Sequence, residues 1–175
     1  MLRLNHLTIK SINMQKIVIV IICFVVIQSA KAQLKTTPIC PNFVVDVLEG
    51  AVNDLYIKAV QSDIKPKFPC FSEVVEETTG LECGRIVYKE KGITFFTERN
   101  YIEINDKFKG TLKPQLMGKN RNGLFTLLGH PKIKDINWDA FQTKYGTLIL
   151  YYNKAGKINK LQMSTNTTET IKLCE

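Results

Sequence analysis

Apolar and polar residues alternate in short runs along most of this chain, and the period of two predicts strands at residues 43–48, 85–90, 93–98, 101–105, 148–152 and 158–164. Lys91-Gly92 and Asn153-Lys154-Ala155-Gly156 mark tight turns between such runs. Two stretches change to helical spacing. Phe71, Val74 and Val75 fall at i, i+3 and i+4, with Glu73, Glu76 and Glu77 opposite and Gly80 as a stop. Leu124, Leu127 and Leu128 repeat the arrangement before Gly129 and Pro131. The pattern predicts an α+β fold, an antiparallel sheet with short helices on one face. The two halves also align: Ile86-Val87-Tyr88 with Phe141, Ile93 to Phe96 with Thr147 to Tyr152, and Tyr101 to Ile104 with Ile158 to Leu161. This predicts two tandem helix-β-β(-β) units, residues 43–106 and 107–175, within one compact domain that follows an extended leader over residues 33–42.

The first 32 residues follow different rules. Lys10 and Lys16 precede an unbroken apolar run from Ile17 to Ile27, and Ala30-Lys31-Ala32 places small residues at both cleavage-determining positions before Gln33. Eleven apolar residues suit a signal-peptide core and fall short of the roughly 20 that span a bilayer. Either Met1 or Met14 serves as the start, and Cys23 lacks the small residues of a lipoprotein signal. A cleaved signal predicts a secreted or periplasmic protein. Its removal leaves 143 of the 175 residues and four cysteines, Cys40, Cys70, Cys83 and Cys174. An even number in an exported chain predicts two disulfides, with three possible connectivities. Cys70 with Cys83 and Cys40 with Cys174 is the favoured pairing. Without a C-x-x-C spacing, and with His130 as the one imidazole after residue 32, a metal site is not expected, nor is a cofactor.

Leu127-Leu128-Gly129-His130-Pro131, then Tyr145-Gly146, an aromatic strand and Asn153-Lys154-Ala155-Gly156-Lys157-Ile158, resembles the helix-then-hairpin unit of the SmpA/OmlA family. It is also similar to the tandem units of the beta-lactamase inhibitory protein family. The resemblance is strongest over residues 122–164. It implies small helices on one face of an antiparallel sheet and a function in binding other proteins. The chain departs from the pattern in lacking a lipobox cysteine and in having Thr79-Gly80-Leu81 where a Leu-Gly-x-Pro ending is expected.

Charge sharpens this reading. Residues 33–106 hold 8 basic and 12 acidic side chains, whereas residues 107–175 hold 12 basic and 4 acidic. Between 107 and 134 lie Lys107, Lys109, Lys113, Lys119, Arg121, Lys132 and Lys134 and no acid. Such a stretch offers a positive face to an acidic protein or to an anionic lipid or polymer, and its charges are expected to be dispensable for folding. Nucleic acid is not an expected partner, because interleaved aromatics are missing. Trp138 is a candidate anchor. Of Tyr151 and Tyr152, neighbours on a strand, one is expected to be exposed. G-x-S-x-G, H-E-x-x-H and a Gly-rich phosphate loop are all missing, so common hydrolase and nucleotide chemistries lack their parts. The expectation is a non-catalytic exported protein-binding module: an inhibitor, an immunity-type neutraliser or an envelope scaffold. The alternatives are a binder of lipid or anionic polymer in an apolar groove lined by Phe95, Phe96, Phe125 and Leu150, and an enzyme of unrecognised type.

Overall fold

A computed structural model describes residues 38–78 and 82–174, in which twelve strands form two sheets. The expected signal, most of the leader and Thr79-Gly80-Leu81 lie outside the described residues. The smaller sheet contains β1 (Phe43–Asp46), β2 (Ala51–Val52), β3 (Leu55–Tyr56) and β8 (Gly110–Lys113), with β1 and β8 parallel. The larger sheet contains β4 (Glu73–Val75), β5 (Arg85–Tyr88), β6 (Ile93–Phe96), β7 (Tyr101–Asn105), β9 (Ile133–Lys134), β10 (Trp138–Gln142), β11 (Thr147–Tyr152) and β12 (Ile158–Ser164). Its order is β4-β5-β6-β7-β12-β11-β10-β9, with every neighbouring pair antiparallel. Two four-stranded meanders therefore meet at their last strands. A short helix precedes each: α1 (Gln61–Lys67) and α2 (Phe125–Leu128).

Register turns the alternation read from the sequence into a core. Ile86, Phe95, Ile102, Met163, Leu148 and Phe141 stand opposite one another across six strands and are all buried. The small sheet and α1 cover this face with Phe43, Val45, Leu112, Ile64 and Phe68. Phe43 stacks on Phe68 at 4.5 Å, and Tyr88 meets both edge-on while donating its hydroxyl to the Phe68 carbonyl at 2.8 Å. Burial of each such side chain contributes about 2 kcal/mol, which makes this aromatic group the main joint between the layers.

Two expectations need correction. Residues 73–75 form a strand, not a helix: Val74 and Val75 are β-branched, and pairing with β5 places Val74 opposite Ile86. The helix lies earlier, at α1, where the Asp63 carboxylate accepts from the Val60 N–H at 3.4 Å. Ile64 is the one buried residue of α1, so it leaves little apolar periodicity to read. The disulfides differ as well, joining Cys40 to Cys70 and Cys83 to Cys174 with Cα separations of 5.3 and 6.2 Å. A helix over 71–80 would have carried Cys70 back toward Cys83. The observed strand instead leads from Cys70, at one end of the sheet, toward Cys83 at the other.

Candidate functional site: one rim of the large sheet

Because its strands alternate in direction, the large sheet brings the ends of β5, β7, β9 and β11 and the starts of β4, β6, β10 and β12 to one rim. Backbone hydrogen bonds join neighbouring turns along this rim. The Lys109 N–H donates to the Lys91 carbonyl at 3.0 Å, and the Asn105 N–H to that of Gly92 at 3.1 Å. Further along, Gly118 N–H reaches Ile158, Arg121 N–H reaches Gly156, and Tyr152 N–H reaches Asn137. Lys89, Lys107, Lys109, Lys119, Lys134, Lys154 and Lys157 lie on this edge exposed, and Lys91 half-exposed. None of these eight forms an ion pair among the described residues, whose five salt bridges involve other cations. Glu90, Asp106 and Asp135 are the acids beside them.

One charged pair fixes the rim. Asp139, on β10, is 3% exposed and accepts from Arg121 through both oxygens: from Nε at 2.9 Å and from the second guanidinium nitrogen in a very short contact. The Tyr152 hydroxyl donates to the same carboxylate at 2.8 Å, and the guanidinium lies 4.9 Å above the Tyr152 ring. This hydrogen bonding holds Arg121 above its ordinary pKa. The same guanidinium donates to the carbonyls of Ile136 at 3.2 Å and Asp135 at 2.5 Å, clamping the β9–β10 turn. Ile136 projects from that turn 84% exposed. Phe125, Leu127 and Ile133 are the other exposed apolar residues nearby, and the Phe125 ring lies 4.3 Å from that of His130.

The basic residues expected from the sequence separate into two groups. Lys107, Lys109, Lys119 and Lys134 belong to the rim. Lys113 does not, since it stands opposite Asp46 on the small sheet and shares a cleft with Glu49 and Asp54. Lys132 directly precedes β9 and is near enough to Glu169 to help lower that carboxyl's pKa, after the hydrogen bonds from Thr167, its own backbone and Thr168. Arg121 corrects the expectation that every charge here is dispensable for folding, because its partner is a buried carboxylate. Tyr152 is buried and Tyr151 half-buried on opposite faces. Tyr151 sits 4.1 Å under Lys160 Nζ and donates to Gln162 at 2.8 Å; burial, then the Glu103 charge, pushes its pKa up to about 12. Trp138 is half-buried opposite Tyr151. Phe95 and Leu150 are in the packed core, Phe96 stacks on Tyr101 on the other face, and Phe125 is exposed, so these four do not line one groove.

Sequence reading missed Lys89, Lys91, Lys154 and Lys157, which join the rim only through strand pairing, and it missed Ile136 altogether. An isoleucine between Asp135 and Asn137, in a turn, was the available signal. Comparison of the chain with protein-family models, curated proteins and solved structures finds no match.

Proposed function

We propose that the chain is an exported, non-catalytic module that binds a partner protein through this rim, as an inhibitor, immunity-type or scaffold protein. The observation that carries the reading is Ile136: a large aliphatic side chain held out to solvent by a turn whose carbonyls are clamped by Arg121, with unpaired lysines around it. Exposed apolar side chains on a pre-organised backbone form the centre of interfaces, and surrounding charge speeds encounter with a partner of opposite sign. Asp139 supports a structural role for the buried polar cluster, since its oxygens are already occupied by Arg121 and Tyr152. The two disulfides fit an oxidising, non-cytoplasmic compartment, and no described helix is long and apolar enough to cross a membrane. Export itself rests on the N-terminal sequence. The matching order of the two meanders supports their origin as two copies of one unit.

The test uses a photo-crosslinking residue at position 136, applied to envelope extract and culture fluid of the source cells. A discrete crosslinked protein, lost in Ile136→Asp and weakened by salt, is the expected result. A captured protein that binds wild type and Ile136→Asp equally would remove the reading, provided that both melt at the same temperature.

A further inference from the structure

Away from Ile136, the same rim contains a second assembly. The turn after β5 carries Lys89 and Lys91, and the segment after β7 carries Lys107 and Lys109, pairs separated by 16 or more residues in sequence. Gly92 brings them together. Its φ is +67°, and a Cβ there would lie 2.6 Å from both the Lys107 carbonyl carbon and the Phe108 nitrogen, so one turn packs directly against the other's backbone. The hydrogen bonds from Asn105 and Lys109 to Gly92 and Lys91 lock that approach, and the Asn105 side chain accepts from the Lys107 N–H at 2.9 Å. Lys89, Lys107 and Lys109 thereby line one open cleft of about 470 Å³, together with Asn105, Thr94 and the carboxylate of Glu90.

We propose that this cleft binds the anionic groups of an extended acidic polysaccharide. Four lysines against Glu90 and Asp106 leave a local charge of +2 with no ion-pair partner among the described residues. Lys89, Lys107 and Lys109 are exposed and Lys91 half-exposed, so each contact with a lone ion is weak, and a chain that presents repeated charges is needed to engage several at once. Asn105 and Thr94 add an amide and a hydroxyl suited to sugar hydroxyls. Of its apolar lining residues Tyr88 and Ile93 are buried and Val87 is half-buried, and Phe71 is the exposed apolar side chain beside it, next to Ser72, whose hydroxyl accepts from the Lys89 N–H. The inference is independent of the protein-binding reading.

Binding of the full chain would be measured at low ionic strength to heparin and polygalacturonate, with neutral dextran, polyglutamate and inorganic phosphate as comparisons. Heparin or polygalacturonate should bind, with dextran inert and the other two weaker. Lys89→Gln/Lys107→Gln/Lys109→Gln should weaken polysaccharide binding about tenfold or more, from roughly 0.5 kcal/mol per exposed contact. Lys132→Gln/Lys134→Gln/Lys154→Gln, which removes equal charge elsewhere, should leave most of it. Ile136→Asp should have no effect, which keeps this result separate from the protein-binding test. Equal losses in the two triple variants would reduce the effect to net charge and overturn the proposal. So would polyglutamate or phosphate binding as tightly as the polysaccharides. Unchanged melting temperatures confirm that both triple variants are folded.

Discussion

The two ends of the large sheet carry opposite charge and use it differently. At the end opposite the lysine rim, two cations are tied down: Arg99 pairs with Glu77 at 2.6 Å, and Lys144 with Glu49 at 2.5 Å, beside the exposed acids Glu76, Glu82 and Glu98. The C-terminal segment is fastened there too. Ser164 and Asn166 donate to the carbonyls of Asn100 and Arg99, the Cys174 N–H donates to the Tyr101 hydroxyl, and Cys174 is bonded to Cys83. At the lysine rim the one tight ion pair, Arg121 with Asp139, is largely buried, and the remaining cations face solvent singly. One end uses these two cations and the polar groups of its C-terminal segment to hold the fold. The other holds a framework in place with one buried pair and leaves its charge available to a partner. Unpaired like charges cost some stability through mutual repulsion, which makes their concentration at one end a mark of binding rather than folding.

The largest effect that divides the ends comes from cutting the Cys83–Cys174 tie. It closes 91 residues, and the chain-entropy model gives such a loop about 4.5 kcal/mol, against about 3.5 kcal/mol for the 30-residue Cys40–Cys70 loop. Cys83→Ser/Cys174→Ser should therefore melt well below wild type, and further below it than Cys40→Ser/Cys70→Ser, as followed by circular dichroism. Tyr101 reports the same event. Burial first, and the charge of Glu103 to a smaller extent, push its pKa up to about 12, while the Cys174 N–H works in the opposite direction. A tyrosine that is harder to ionise when folded stabilises the fold below pH 10, and this contribution is lost as pH rises from 10 to 12. Absorbance at 295 nm should show more tyrosine ionisation near pH 10.5 in the cut variant.

Next in size is the buried pair. Arg121→Ala strips the Asp139 carboxylate, 3% exposed in the native chain, of its cation and leaves Tyr152 as its one side-chain donor, and the loss should be about 3 kcal/mol in urea unfolding. Arg121→Met/Asp139→Leu should recover most of it, because removal of both charges leaves no ion to desolvate. The double variant also separates fold from function: Ile136 loses the clamp on its carbonyl, so partner capture should fall even where stability returns. If Arg121→Ala proved as harmless as Lys154→Gln, the two kinds of cation at this rim would be equivalent and the comparison would fail.

How much of this was legible beforehand depended on whether local pattern or long-range pairing decides the structure. The runs at 101–105 and 158–164 are strands with those limits, because alternation and burial agree there. Gly129 ends α2, its N–H donating to the Phe125 carbonyl. Glu73-Val74-Val75 misled because a three-residue strand carries too little period to outweigh helical spacing, and β5 is what selects its conformation. The disulfide pairing followed from that error. The basic face was legible as a property of residues 107–134, yet half of the rim's lysines come from other turns. Arg121 looked like one more of that series, since a sequence does not show that Asp139 is buried beside it.

Glu77 provides the smallest test and bears on the paired end alone. Its carboxylate accepts from the Gly84 N–H at 2.6 Å and from Arg99 at 2.6 Å; the backbone bond first, then the Arg99 charge, hold its pKa below the ordinary 4.5 against a partial opposing effect of burial. A carboxyl that ionises more easily when folded binds fewer protons in the native state. Its contribution is therefore complete above pH 4.5 and is lost as pH falls below that value toward the lowered one. Glu77→Gln should flatten the decline of melting temperature between pH 4.5 and the acid limit, with little change at pH 7. Lys154→Gln at the opposite rim should leave that slope as in wild type, because Lys154 touches neither Glu77 nor its partners. Equal slopes in wild type and Glu77→Gln would mean that the acidic end is as free of internal obligations as the basic one, and the contrast between them would then lie in sign alone.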